Sequence, residues 1–468
     1  MNLLERFFKL RENNTTARKE VYAGTIMFMA VAYILAVNPD ILSSTGMPRG
    51  GLFYVTAFAA FVGTLVMAFI ANAPLVLAPA MGLNAFFAYS VVKVMGFSWQ
   101  FALFAIVIEG VIFFLLSLSS VREKIIEAIP LSLKYAMGAG VGLYITLIAF
   151  KNAHIIQAHP VTLITIQDFF GPDFHTAGIS SLLALTGILF SSSLMKHKVP
   201  GDLLWGILGT WALGILCQLT GIYHVNPEAG FYSLLPNFST TALSEPFHEF
   251  CRLFGSAFEV NKWSCKTADV SGWQLLLSAD FAVICFAFLF TDFFDTVGTV
   301  NGAVAGTPLM KKDGTIPRLK KILLADSIAT FSGGVLGTST TTTFAESAVG
   351  IRAGARTGLS ALICAFCFLL SLLAAPIFLA IPGFATAPAL VVVGFLMIRS
   401  ITYINWDDIA DAVPAYILLV GIVFTYSISD GLGLGVISYT LLNCRSKGKV
   451  HWILWIISLL FFAKYLCL

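Results

Sequence analysis

The chain has 468 residues, of which 58% are hydrophobic and only 11% charged, with a net charge of +3 and a mean hydropathy of +0.87. These values exclude the two or three soluble domains that length alone would suggest and indicate a polytopic membrane protein. The basic residues sit in short clusters between apolar runs, as topology signals do, which excludes a nucleic-acid surface.

The first 21 residues mix acids and bases, and no small-residue cleavage site follows the first apolar run, so they read as a retained cytoplasmic tail. Seven runs long enough to cross a bilayer follow, at 22–38, 52–71, 74–95, 100–119, 132–150, 179–195 and 201–221. After a polar stretch at 235–272 come seven more, at 273–300, 321–336, 337–350, 358–381, 385–400, 413–429 and 431–442. A last run, 452–466, is left open between crossing and lying along the interface.

With the N-terminus inside, the basic clusters fall on the cytoplasmic side. They are Arg122, Lys124 and Lys134; Lys196 and Lys198; Lys311, Lys312, Arg318, Lys320 and Lys321; Arg352 and Arg356; and Arg445, Lys447 and Lys449. The 235–272 loop then faces outside, where Cys251 and Cys265 are open to a disulfide or to free thiols. The remaining cysteines lie mostly in apolar runs without metal spacing.

The tenth run is unlike the rest. From Gly337 to Gly350 it reads G-T-S-T-T-T-T-F-A-E-S-A-V-G, with six hydroxyl side chains ahead of Glu346 and Ser347 just after it. A carboxylate at bilayer depth costs roughly 2.5–3.5 kcal/mol on insertion scales, so it faces a cavity or a partner. β-Branched hydroxyl residues between glycines oppose a continuous helix, whereas the residues from Glu346 onward suit one. The expectation is an extended segment feeding a half-helix near the midplane.

The third run opens A-P-A-M-G-L-N-A-F-F-A-Y (78–89), an interrupted segment at the corresponding place in the first set of seven. An odd number of crossings per set turns the two sets in opposite directions. The expected fold class is therefore an all-α polytopic membrane protein, with 14 transmembrane segments as two inverted repeats of 7 and short extended segments in spans 3 and 10. Asn84 and Glu346 would stand just after the breaks, where unpaired N–H groups attract ligand oxygens or ring nitrogens.

Span eight carries T-D-F-F-D-T-V-G-T, which sets Asp292 and Asp295 three residues apart on one helical face. Two such carboxylates in a low dielectric do not both ionise freely, a property a proton-coupled carrier needs. Asp292 is assigned to function, and Asp295 to the core, tied to backbone N–H groups or to threonine hydroxyls of span ten. Asp326 and Glu109 stand alone and read as structural hydrogen-bonders. Phe293 and Phe294 are placed to stack on a flat ligand, although with 41 phenylalanines in the chain any one of them is more often core or lipid-facing. His154, His159 and His175 lie in an outer loop without ligand spacing. Gly431, Gly433 and Gly435 follow no strand and read as helix-packing positions, not a dinucleotide fingerprint.

The blocks at 15–39 (T-T-A-R-K-E-V-Y-A-G-T-I-M-F-M-A-V-A-Y-I-L-A-V-N-P) and 78–89 resemble the xanthine/uracil permease superfamily. So do F-F-D-T-V-G-T, L-G-T-S-T-T-T-T-F-A-E-S-A-V-G-I and R-T-G-L, and together they are most similar to its adenine/guanine/hypoxanthine permease branch. The resemblance covers nearly the whole chain. It implies a core domain (22–120 and 273–381) and a gate domain (121–221 and 382–444), with an external loop at 222–272 and a C-terminal apolar segment at 445–468. It also implies proton-coupled uptake of purine bases (hypoxanthine, adenine, guanine) across the plasma membrane, the inner membrane in a bacterium, with no cofactor.

Matched by motif, the substrate contacts are Glu346, Asp292 and Asn84, joined by Phe293 and by the chain at Leu83, Thr343 and Ala345. Proton coupling falls to Glu346, Asp292 and Asp295, and structural support to Asp295, Thr340, Thr341 and Asp326. The preferred base, proton as against sodium coupling, and monomer or homodimer stay open. Two other readings are an anion carrier of the same architecture, disfavoured by acids where cations would be expected, and a membrane-embedded enzyme using Asp292 and Asp295 as an acid–base pair. The enzyme reading lacks a second catalytic signature.

Overall fold

The structure is a computed structural model that describes residues 3–118, 130–160, 162–226, 230–239, 241–265, 270–304, 309, 316–444 and 450–467. Of the basic residues used for sidedness, Arg122, Lys124, Lys311, Lys312, Arg445, Lys447 and Lys449 lie outside the described residues. Among those described, eight helices are long and apolar enough to cross a membrane.

In chain order the helices are α1 (Leu3–Phe8), α2 (Ala17–Val31), α3 (Ile34–Ser43), α4 (Arg49–Val66), α5 (Met81–Ala85), α6 (Trp99–Leu118), α7 (Leu131–Asn152), α8 (Ile179–Lys196) and α9 (Asp202–Leu219). Then come α10 (Thr241–Leu253), α11 (Ala279–Val304), α12 (Leu319–Leu336), α13 (Ser347–Ala353), α14 (Gly358–Ser371), α15 (Ala375–Leu379), α16 (Gly383–Ile398), α17 (Ile409–Phe424), α18 (Ile428–Asn443) and α19 (Trp452–Cys467). π-Helical stretches, Met67–Ala71 and Phe86–Val94, prolong α4 and α5. One group of contacts joins α2 to α13 and α14, and α12 to α4 and α6; another joins α7 to α16 and α17, α8 to α9 and α16, and α17 to α18.

The strand that matters pairs segments far apart in sequence. β1 (Leu77–Pro79) runs antiparallel to Thr341–Thr343, with Leu77 opposite Thr343, Ala78 opposite Thr342 and Pro79 opposite Thr341. Pro79 cannot donate to a helix and β-branched threonines favour extended backbone, so both breaks are written locally. Bonds from Ala80 N–H to Thr340 O (3.0 Å) and from Phe344 N–H to Val76 O (2.9 Å) extend the pairing at either end. Each break thereby satisfies the other's backbone groups where no water is at hand. Gly337 sets up the crossing: its φ of +101° ends α12, and a Cβ there would meet Leu253 O at 2.8 Å.

A second joint explains the R-T-G-L motif. The Gly358 N–H donates to Asn72 Oδ1 at 2.7 Å, and a Cβ on Gly358 would stand 2.2 Å from Ala68 O. The buried Glu20 carboxylate accepts from the backbone N–H groups of Arg356 (2.9 Å), Ser360 (3.2 Å) and Thr357 (3.4 Å), capping α14 from α2. Gly358→Ala is expected to push two backbones apart at a cost of about 1–3 kcal/mol. Size-exclusion of the detergent extract should show less folded carrier, and a wild-type yield would contradict the contact.

The structure corrects the reading of 235–272 as a plain loop. Within it α10 packs on α4, with Phe250 stacked on Phe58 (ring centroids 4.9 Å apart) and the Glu249 carboxylate accepting from Gly51 N–H at 2.7 Å. Its signal was present in the spacing of Phe247, Phe250 and Leu253. Cys251 is exposed and Cys265 buried, its thiol donating to Met95 O at 3.6 Å, and the two are not bridged to each other. The run 452–466 forms α19 against α18, with the Thr440 and Ser458 hydroxyls 2.7 Å apart and Phe461 and Tyr465 seated over Gly433. Gly431 and Gly435 likewise lie against Ile422 and Leu418, as packing positions do.

Candidate functional site

The hydroxyls of the threonine-rich stretch are spent on holding the crossing. Asn38 donates from Nδ2 to Thr338 Oγ1 at 3.1 Å, the Ser339 hydroxyl donates to Asn84 Oδ1, and Thr340 donates to Glu109 Oε2 at 2.7 Å. Thr342 donates to Asp326 Oδ1 at 3.0 Å, and the Thr343 hydroxyl lies 2.7 Å from that of Thr299. Thr341 lends its carbonyl to the Thr330 hydroxyl at 3.1 Å, and Ser347 Oγ accepts from Val76 N–H at 3.0 Å. Each bond ties the strand to a different neighbour, and hydrogen bonds to carboxylates are the stronger kind at about 1.5–3 kcal/mol.

Behind the strand lie three fully buried acids, Glu109, Asp292 and Asp326. Thr296 Oγ1 contacts Asp326 Oδ2 (2.8 Å), Asp292 Oδ1 (3.4 Å) and the Thr342 hydroxyl (2.6 Å), while Thr330 Oγ1 reaches Asp292 Oδ2 at 3.3 Å. Asp326 and Glu109 are thus placed as hydrogen-bonders to span ten.

The expectation set Asp292 towards the ligand and Asp295 into the core; in the structure Asp292 is fully buried and Asp295 half-buried. Asp292 is closed in by hydroxyls of α11 and α12, and Asp295 has Asp326 and then Glu346 among its nearby charges. Glu346 is also half-buried, and Ala345 beside it is exposed. Tyr33, at the joint between α2 and α3, donates its hydroxyl to Glu346 Oε1 at 2.8 Å.

Other expected site residues are placed as follows. Leu83 and Thr343 are buried under the crossing. Asn84 is fully buried, and its Nδ2 has no hydrogen-bond partner among the described residues, which leaves an amide donor at the break. Phe293 does not line an open face: it is buried and stacks on Phe113 at 6.2 Å and 13°. The side chain of Phe294 lies outside those described. Missed by sequence reasoning were Tyr33, Thr296 and Thr330. The last two carried a signal, each four residues after an acid and so on the same helical face. Tyr33 carried only a phenol inside an apolar run.

The permease family matches residues 18–433. The guanine/hypoxanthine permease PbuO of Bacillus subtilis is 38% identical over 464 residues, covering 98% of this chain and 99% of that one. The adenine permease AdeP of Escherichia coli is 36% identical over 441 residues, covering 94% and 90%. Among solved structures, the transmembrane domain of a cyanobacterium bicarbonate transporter, BicA, superposes with a TM-score of 0.58 at 16% identity, over 89% of this chain and 97% of that one. That likeness is one of fold.

Proposed function

The chain belongs to the xanthine/uracil permease superfamily, in its adenine/guanine/hypoxanthine branch, and from that premise we propose that it imports purine bases by proton symport. The observation that carries this reading is the half-buried carboxylate of Glu346, next in the chain to the exposed Ala345 just past the crossing of the two breaks, with the half-buried Asp295 near enough to feel its charge. A purine offers several N–H donors in one plane, so two carboxylates accept from it together while the Asn84 amide and nearby backbone groups read another edge. Asp292 and Asp326 then hold the strand in place, and Asp295 takes the ligand-facing role at span eight. A carboxylate that is protonated facing outside and releases its proton inside couples base entry to the gradient.

The reading includes fourteen spans in two inverted repeats, the site lying in a core domain that moves against a gate domain. Contacts on the side expected to be external support a conformation shut there. Arg49 Nη2 donates to Ile381 O at 2.6 Å, Thr386 Oγ1 donates to Asp40 Oδ2 at 3.1 Å, and Asn152 Nδ2 donates to the Tyr89 hydroxyl at 3.1 Å. The last two join the ends of spans one and three to spans twelve and five, and the first ties the start of span two to the end of span eleven, while Glu346 remains accessible. An anion carrier of this fold would set a cation where Asp295 and Glu346 stand.

Uptake of labelled hypoxanthine, adenine, guanine, xanthine and uracil into transport-deficient cells tests the proposal. Unmodified purine should accumulate, and a protonophore should abolish the accumulation. Failure of every base to accumulate removes the reading, and accumulation that survives the protonophore but needs sodium removes its proton half.

A further inference from the structure

Glu346 has two carboxylate oxygens, and the structure treats them differently. Oε1 takes the Tyr33 hydroxyl at 2.8 Å, whereas Oε2 accepts no hydrogen bond from another side chain among the described residues. Tyr33 is fully buried, so its ring is held by the protein and not by solvent. It stands between α2 and α3, where the Leu35 N–H turns back to Ala32 O and the Ala36 N–H to Tyr33 O, both at 3.1 Å, the tight bonds of a helix joint. Its ring also lies against Phe344, centroids 6.5 Å apart, and the Phe344 N–H is itself bonded to Val76 O at 2.9 Å. A third interrupted span therefore reaches the crossing, through Asn38 on Thr338 and through Tyr33, whose hydroxyl is what meets Glu346.

We propose that Tyr33 is a positioning residue for ligand selection: its hydroxyl holds Oε1 of Glu346 and fixes the plane of the carboxylate, so that Oε2 is the oxygen left wholly to a ligand N–H. The inference rests on the reading of Glu346 as a ligand-binding carboxylate. A carboxylate free to turn would offer two equivalent acceptors and would admit heterocycles with differently spaced N–H groups. One fixed acceptor, with Asp295 as the other carboxylate of the site, sets a single donor spacing, and a spacing is what distinguishes one flat heterocycle from another. Tyr33 makes no ligand contact in this scheme and acts only through Glu346.

The test is uptake kinetics of Tyr33→Phe, which removes the hydroxyl and keeps the ring on Phe344. KM for the preferred purine should rise about tenfold, as loss of a hydrogen bond to a charged acceptor implies, with the maximal rate within about twofold and the extracted amount unchanged. Discrimination between hypoxanthine and adenine should narrow in parallel. On a Glu346→Gln background, binding of labelled base to the purified carrier should be no weaker with Tyr33→Phe than without it, since the two act as a unit. If Tyr33→Phe yields no folded carrier, Phe344→Leu loosens the same ring and should raise KM selectively. Wild-type KM and discrimination in the folded variant, or a penalty that persists when Tyr33→Phe is combined with Glu346→Gln, overturns the proposal. A wild-type chain that accumulates purines while Tyr33→Phe behaves like it sinks this inference alone; a wild-type chain that accumulates none sinks the transport reading beneath it.

Discussion

Glu346→Gln is expected to lower the kcat/KM for purine uptake by roughly a hundredfold or more while leaving the amount of extracted carrier near wild type. The amide keeps the shape of the side chain but turns one acceptor into a donor, which then meets the ligand's own N–H, and a buried mismatch of this kind costs about 1–3 kcal/mol on top of the lost charge-assisted bond. Little stability should be lost, because Glu346 is half-buried and Tyr33 is its single side-chain hydrogen-bond partner among the described residues. A second signature separates a coupling role from simple binding. An amide cannot titrate, so whatever uptake survives should no longer respond to a protonophore. Uptake of labelled hypoxanthine with and without protonophore, normalised to carrier in the membrane, reads both effects. Residual uptake that stays fully protonophore-sensitive would place the coupling proton elsewhere.

The two aspartates of α11 should part company. Asp292→Ala leaves the Thr330 hydroxyl and one contact of Thr296 without their carboxylate in a fully buried place, beside the strand that holds the two breaks together. The expected cost is about 2–4 kcal/mol, drawn from lost contacts to a carboxylate and a small cavity, since Thr330 keeps Thr341 O and Thr296 keeps Asp326, and it should appear as less folded carrier and a lower melting temperature in detergent. Asp295→Ala removes a half-buried carboxylate. It should fold with wild-type yield and lose roughly tenfold or more in kcat/KM, the value of one charge-assisted hydrogen bond. Heating the two detergent-extracted variants in parallel and measuring uptake for both decides the matter. The reverse pattern, with Asp295→Ala unstable and Asp292→Ala stable but inactive, would restore the roles that helical spacing alone suggests.

The threonine run shows how far local reading extends. Its hydroxyls announce a break in a membrane span, and the proline-bearing stretch near Ala78 announces another, because helix propensity and the missing proline N–H act within a few residues. That Ala78 would face Thr342 is not legible, since the register joins residues more than 250 positions apart and depends on how α4, α11 and α12 enclose them. The same distinction explains α10. Its aromatic spacing is helical, but the polar residues among them matched a loop until Phe58 and the Gly51 N–H supplied partners on α4.

By itself the sequence determined that this is a membrane carrier with two interrupted segments and acids placed inside the apolar region, because hydropathy, chain breaking and the cost of a buried charge are properties of short stretches. Only the tertiary structure decided that Asp292 is fully buried and Asp295 half-buried, that Asn84 turns to Ser339, and that Tyr33 holds Glu346. Those outcomes depend on the rotation of each helix about its own axis and on partners brought from the far end of the chain. A helical repeat leaves both free until neighbouring helices close around it.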